Sequence, residues 1–136
     1  MADNPMNIFQ VAGRAMSAQL TRMNTTASNL ANAGGVATTA DAAYRTMKPV
    51  FRTHMDAASG MATVDVERVV TAGEAPTKRY DPGNPMADKD GNVFENAVDE
   101  TRELVDMMES ARTYQNNVEV MQTAKSLIVE TLKLGR

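Results

Sequence analysis

Residues 104–132 read LVDMMESARTYQNNVEVMQTAKSLIVETL, and the spacing of their apolar side chains decides the fold. Leu104, Met107, Ala111, Tyr114, Val118, Met121, Lys125, Ile128 and Leu132 follow one another in alternating steps of 3 and 4, with Lys125 the one charge in the line. That is the heptad seam of a helix that packs lengthwise on another. A second apolar line, Val105, Met108, Val120, Ala124 and Leu127, flanks the seam. Neither Pro nor Gly interrupts the pattern before Gly135, which predicts a helix over 98–134. At 1.5 Å per residue it is about 55 Å long. A pattern of that length favours a coiled coil over a globular-core helix.

The N-terminal end is written in the same spacing. Phe9, Met16, Met23 and Leu30 recur every seven residues, with Leu20 and Ala27 interleaved and Gly13 as the weak point. Asn4-Pro5 suits an N-cap followed by proline at the first helical position, and Gly34-Gly35 supplies a left-handed C-cap. A helix over 5–33 is therefore expected. The two helices run in opposite chain directions. Their spacing predicts a mainly α fold, paired as an antiparallel coiled coil with both chain termini at one end. One such pair buries one seam on each helix. The flanking line on the second helix stays open, and exposed apolar lines mark partner surfaces.

Between the helices the texture changes. Pro49, Pro76, Pro82 and Pro85 alternate with Gly60, Gly73, Gly83 and Gly91, and short alternating runs occur at 50–52, 64–66 and 69–70. This reads as a small, loop-rich β insert at the far end from the termini. The chain thus divides into an N-terminal helix (1–35), a β insert (36–97) and a C-terminal helix (98–136). Of the six aromatic residues, Tyr44, Phe51, Tyr80 and Phe94 fall in the middle, which predicts a small, central core. The ends must cover their apolar surface against each other or another chain.

Composition excludes several functions. The net charge is −3 and there is no basic block, which argues against nucleic-acid binding. Cys is absent, so there are no disulfides or thiolate sites. No basic region followed by an apolar stretch marks a cleaved signal peptide, and no run suffices for a membrane span. His54 is the lone histidine, so no ordinary transition-metal site is expected. In Asp88-Lys89-Asp90-Gly91-Asn92, setting Gly91 at the sixth position of a calcium loop puts Met86 first and Ala97 twelfth. Both key ligands fail, and a turn is the expected role. Asn24-Thr25-Thr26 matches a glycosylation sequon but lies inside the first helix. Asp106 and Glu109 read as a solvated face. With no phosphate loop, nucleophile elbow or catalytic pairing, neither enzyme activity nor a cofactor is expected.

The stretch TASNLANA, residues 26–33, closes the first helix with two asparagines. Asn29 and Asn32 are three apart and share a face beside the seam. Each amide donates and accepts, and the alanines allow close approach. Bonding to the backbone of a neighbouring chain is the sharper expectation; local capping near Gly34-Gly35 is the plainer one.

The residues also carry a resemblance. Ile8-Phe9, Met16-Ser17-Ala18-Gln19, Arg22-Met23-Asn24 and ASNLANA at 27–33 are followed, at the other end, by SARTYQNNVEVM at 110–121, Thr123-Ala124-Lys125 and TLKLG at 131–135. In this order and spacing they resemble the two terminal signatures of bacterial flagellar rod and hook proteins. Tyr44-Arg45, YDPGNPMADKDGNV at 80–93 and the short middle are similar to the proximal members of the basal-body rod. Departures fall at the two joints, Gly34-Gly35-Val36 and Asn96-Ala97-Val98-Asp99.

The resemblance implies a structural subunit of an axial shaft that transmits torque. It also implies export through the flagellar type III apparatus without a cleaved signal, residence in the basal body across the periplasm, and terminal helices that order on assembly. The implied partners are further copies of the chain and other rod proteins. The residues expected at helix or subunit interfaces are Phe9, Met16, Leu20, Met23, Asn29, Leu30, Asn32, Leu104, Met107, Met108, Tyr114, Val118, Met121, Ile128 and Leu132. The methionines among them suit ordinary seam packing first, and also a surface that must fit non-identical neighbours. The residues alone also fit a cytoplasmic coiled-coil adaptor or chaperone for a secretion system.

Overall fold

The computed structural model describes residues 6–57 and 59–135. Two long helices, α1 (Met6–Asn32) and α2 (Glu100–Leu134), enclose five strands: β1 (Val36–Ala37), β2 (Met47–Asp56), β3 (Met61–Thr71), β4 (Thr77–Tyr80) and β5 (Asn92–Glu95). The expected mainly α chain with a small β insert is what forms. The Asn4-Pro5 start of the first helix lies outside the described residues.

Local chemistry sets the helix ends. Gly34 adopts φ 70°, the left-handed conformation that stops α1, while Gly35 N–H donates back to Asn32 C=O at 3.2 Å. Asp99 caps α2 by accepting from the Arg102 N–H at 3.1 Å. Glu100 and Glu103 in its first turn and Lys133 in its last complement the helix dipole.

The contacts between the helices run in opposite chain order. Asn29 meets Glu103, Arg22 meets Asp106 and Glu109, and Ile8 borders a groove shared with Thr123 and Leu127.

The insert is two sheets. β2 and β3 form a long antiparallel hairpin with a bulge after Val50, and β1-β5-β4 form a short antiparallel sheet. The short sheet stays at the joint between the helices. The hairpin does not. Met47 bonds to Asn29 near the end of α1, whereas His54, Asp56 and Met61 reach Gln10 and Arg14. The hairpin therefore folds back along α1, toward the end where α1 begins, which corrects the expectation of a β unit confined to the far end. Arg14 fastens it, donating to Asp65 Oδ2 at 2.9 Å and to Thr63 Oγ1 at 3.4 Å.

The core differs from expectation too. Its buried apolar residues are Ala12, Ala18, Ala37, Ala43, Val93 and Ala124, while Phe51 and Tyr80 are exposed. Phe51 and Tyr80 lie on strands with no second layer over them, whereas Tyr44 and Phe94 are half-buried. Ala12, Ala18 and Ala124 are buried where α1 is approached by α2 and by the hairpin, and Ala37, Ala43 and Val93 at the joint with the short sheet. Small residues permit that approach.

The turn reading of residues 88–92 matches the structure. Asp88 Oδ1 accepts from the Asp90 N–H at 2.9 Å and the Asn92 N–H at 2.8 Å, and Gly91 takes φ 75°. These backbone bonds hold the Asp88 carboxyl below its usual pKa.

Candidate assembly interface

Asn29 is the fastening point of the molecule. Its side chain is 1% exposed. Nδ2 donates to Met47 C=O and to Glu103 Oε2, both at 2.9 Å. Oδ1 accepts from the Tyr44 hydroxyl at 2.8 Å and from the Met47 N–H at 2.9 Å. Two donor and two acceptor positions are all that a primary amide has. All are filled within the chain, so the expected bond to a neighbouring chain gives way to one joint of α1, α2, β2 and the preceding loop. Glu103, 3% exposed, is the acidic side of that joint. Desolvation, and then the Glu103 charge, raise the pKa of Tyr44. The expected shared face of Asn29 and Asn32 divides, with Asn29 buried in the joint and Asn32 exposed, and Glu103 and Tyr44, which carry no periodic signal, were not foreseen as its partners.

Asn32 is exposed, and its Nδ2 donates to Ser28 C=O in its own helix. The asparagine that secures the end of α1 is instead the buried Asn96, whose Nδ2 donates to Asn32 C=O and to Gly35 C=O. Its backbone N–H also donates to Gly35 C=O, at 3.1 Å. The two joints at which the sequence departs from the rod pattern are thus bonded to each other.

Arg22 donates to Asp106 Oδ1 and Glu109 Oε2, each at 3.2 Å. The pair expected to be a solvated face is an anchor between the helices.

The buried line of α2 has a different phase from the expected seam. Met107, Tyr114, Met121 and Ile128 are half-buried as expected, but between them lie Glu103, Ser110, Asn117 and Ala124, of which all but Asn117 are fully buried. Ala111 and Val118 are half-covered, and Leu104, Lys125 and Leu132 face out. The centre of the buried line is rotated by about 50°, half of one helical step. On α1, Phe9, Met16, Met23 and Leu30 are half-buried while Leu20 and Ala27 are exposed. The two helices meet along a line of Ser, Ala and Asn, and the bulkier Leu104 and Leu132 are left outside.

The result is an apolar exterior. Leu104, Val105 and Met108 form one exposed patch on α2, and Val120 and Leu127 border a groove with Ile8. Among the described residues no group of His, Asp and Glu is set to hold a metal, and no helix is long and apolar enough to cross a membrane. His54 lies exposed on β2. What this surface offers is packing.

Comparison with known proteins agrees at both ends of the chain. Residues 9–36 match the family described as flagella basal body rod protein, and residues 91–134 match the C-terminal region of flagellar basal body rod FlgEFG proteins. Over its whole length the chain is similar to the flagellar basal-body rod protein FlgC of Salmonella typhimurium, at 45% identity covering 96% of this chain and 98% of that one. The same protein of Yersinia enterocolitica is 40% identical over 96% and 98% of the two chains. That of Agrobacterium fabrum is 32% identical over 92% and 91%. The chain belongs to the FlgC family of flagellar basal-body rod proteins.

Proposed function

We propose that the chain is a structural subunit of the proximal basal-body rod, built through its terminal helices into the axial shaft that carries torque to the flagellar filament. One observation carries this reading: the helices that match the rod families keep their bulkier apolar line outside the folded chain, where a neighbouring subunit can cover it. In that assembly α1 and α2 act as one antiparallel coiled coil (1–35 with 98–136), and residues 36–97 form its lateral β unit. Leu20, Leu104, Met108 and Leu132 face neighbours, whereas Phe9, Met16, Met23, Leu30, Met107, Tyr114, Val118, Met121 and Ile128 hold the pair together. The partners are further copies of the chain and other rod proteins, delivered uncleaved by the flagellar type III export apparatus. The role is mechanical and involves no catalysis.

Deleting the gene should abolish swimming, and the chain should be found in purified basal bodies with its N-terminus intact. Recovery from the cytosol alone, bound to a secreted client, would replace the rod reading with that of an adaptor.

A further inference from the structure

The β2–β3 hairpin wears its alternation inside out. Thr63 and Asp65 face α1, where Arg14 bonds both. Side chains alternate along a strand, so the opposite face carries Phe51, Thr53 and Met55, set in register against Val66, Val64 and Ala62. A sheet with one solvated face normally turns its polar side to water. Here the outward side holds no charge; Met55 and Val64 are exposed on it, and Phe51, also exposed, borders the cleft lined by Arg22, Thr26, Glu103 and Asp106 as well.

A second uncharged face lies on α1. Gly13, Ser17, Leu20, Asn24, Ala27 and Ala31 are all exposed, in steps of 4 and 3. The charged residues of α1, Arg14 and Arg22, point elsewhere, each into an ion pair within the chain. At 100° per residue they project about 100° and 180° away from Gly13. The hairpin, held by Arg14, cannot reach this face of its own helix.

The two faces lie at the same level along α1. Phe51 shares a cleft with Arg22, and the strand residues beside Met55 border Gln10 and Arg14. The run from Phe51 to Met55, about 13 Å, spans the stretch from Leu20 to Gly13, about 10 Å.

We propose that the outer face of the hairpin docks on the Leu20 face of α1 in a second copy of this chain, side by side with little axial offset. A second copy is the occupant because the two faces match in level, length and lack of charge, with large side chains on one and mostly small ones on the other. The contact is heterologous, so repetition builds a ring or a helical course instead of a closed pair. The inference rests on the rod reading and gives it a lateral contact.

Cys is absent from the chain, so an introduced thiol is the sole one on each copy. Copies carrying Met55→Cys and copies carrying Leu20→Cys, expressed together and oxidised in assembled basal bodies, should form a disulfide-linked pair between them. Repeating this with Gly13→Cys, Ser17→Cys and Ala27→Cys measures the axial offset. Links from residue 55 only to itself or to a different protein, or to none of the α1 positions, overturn the proposal. Independently, Val64→Lys should leave the circular dichroism of the chain unchanged but lower its incorporation about tenfold or more, because an ammonium enters an apolar contact. Undiminished incorporation overturns the proposal as well. If the unaltered chain is present in basal bodies and no link forms, this inference alone fails; if it is absent from them, the rod reading fails with it.

Discussion

Asn29 Nδ2 and Glu103 Oε2 lie 2.9 Å apart, fastening the end of α1 to the start of α2 with both side chains buried. Asn29→Ala strands the Met47 backbone groups, the Tyr44 hydroxyl and the Glu103 carboxylate together. Unpaired buried groups cost about 1–3 kcal/mol each, reduced where water enters, so a loss of about 3 kcal/mol is expected in urea titration of the full chain. Asn29→Asp should lose more, since a second carboxylate then faces Glu103.

Tyr44 links the joint to alkaline pH. Its pKa is raised from 10.0, so its contribution is fully present below about pH 10 and is lost as pH rises through the higher folded value. Tyr44→Phe should remove that alkaline loss and cost about 1 kcal/mol at neutral pH, the worth of one hydrogen bond. Urea midpoints of both proteins between pH 8 and about pH 11 read the difference.

The phase of the seam separates folding from assembly. Ser110 is 0% exposed, so Ser110→Leu overpacks the helix pair and should destabilise it by about 1–3 kcal/mol. Val105→Asp changes an exposed side chain and should leave the urea midpoint within about 0.5 kcal/mol of the parent, yet prevent incorporation into rods. Met121→Asp, at the half-buried seam, should fail in both assays.

At the acid end, Asp88 holds the 81–91 loop. Its pKa is lowered from 3.8, so the turn is fully held above that value and loosens as pH falls through the lower folded one. Protection of the Asp90 and Asn92 amides, taken relative to the intrinsic exchange rate at each pH, should fall across that window. Asp88→Ala should remove that protection at every pH.

The dilute chain should show less helix by circular dichroism than its 27-residue α1 and 35-residue α2 contain, and gain the rest on assembly. The buried apolar side chains are nearly all alanines, a thin offset for the entropy of ordering two long rods. Exchange protection should concentrate near Asn29, Asn96 and Val93 and fade toward Leu132. Full helicity at low concentration would argue against ordering on assembly.

Much of this was legible in the sequence. Heptad spacing located both helices to within a few residues, Gly34 stopped the first, and Asp88-to-Asn92 formed its turn. The phase of the packing was not legible, because periodicity ranks lines by how apolar they are. Leu104, Val118 and Leu132 outrank Ser110, Asn117 and Ala124 on that scale. The fold buries the second line because Asn29 with Glu103 and Arg22 with Asp106, contacts that carry no apolar signal, set the rotation of α2 against α1. The fold-back of the hairpin was hidden for a related reason. Its determinant is Arg14 meeting Asp65, two charges 51 residues apart with no periodic signature.

The hairpin that returns along α1 also changes the mechanics of the subunit. A third element, bonded to α1 at Asn29 by Met47 and again at Arg14 by Asp65, fastens to that one helix at two heights. The first helix is thereby held by α2 on one side and by the hairpin on another, so it cannot bend or slide without breaking one of these fastenings.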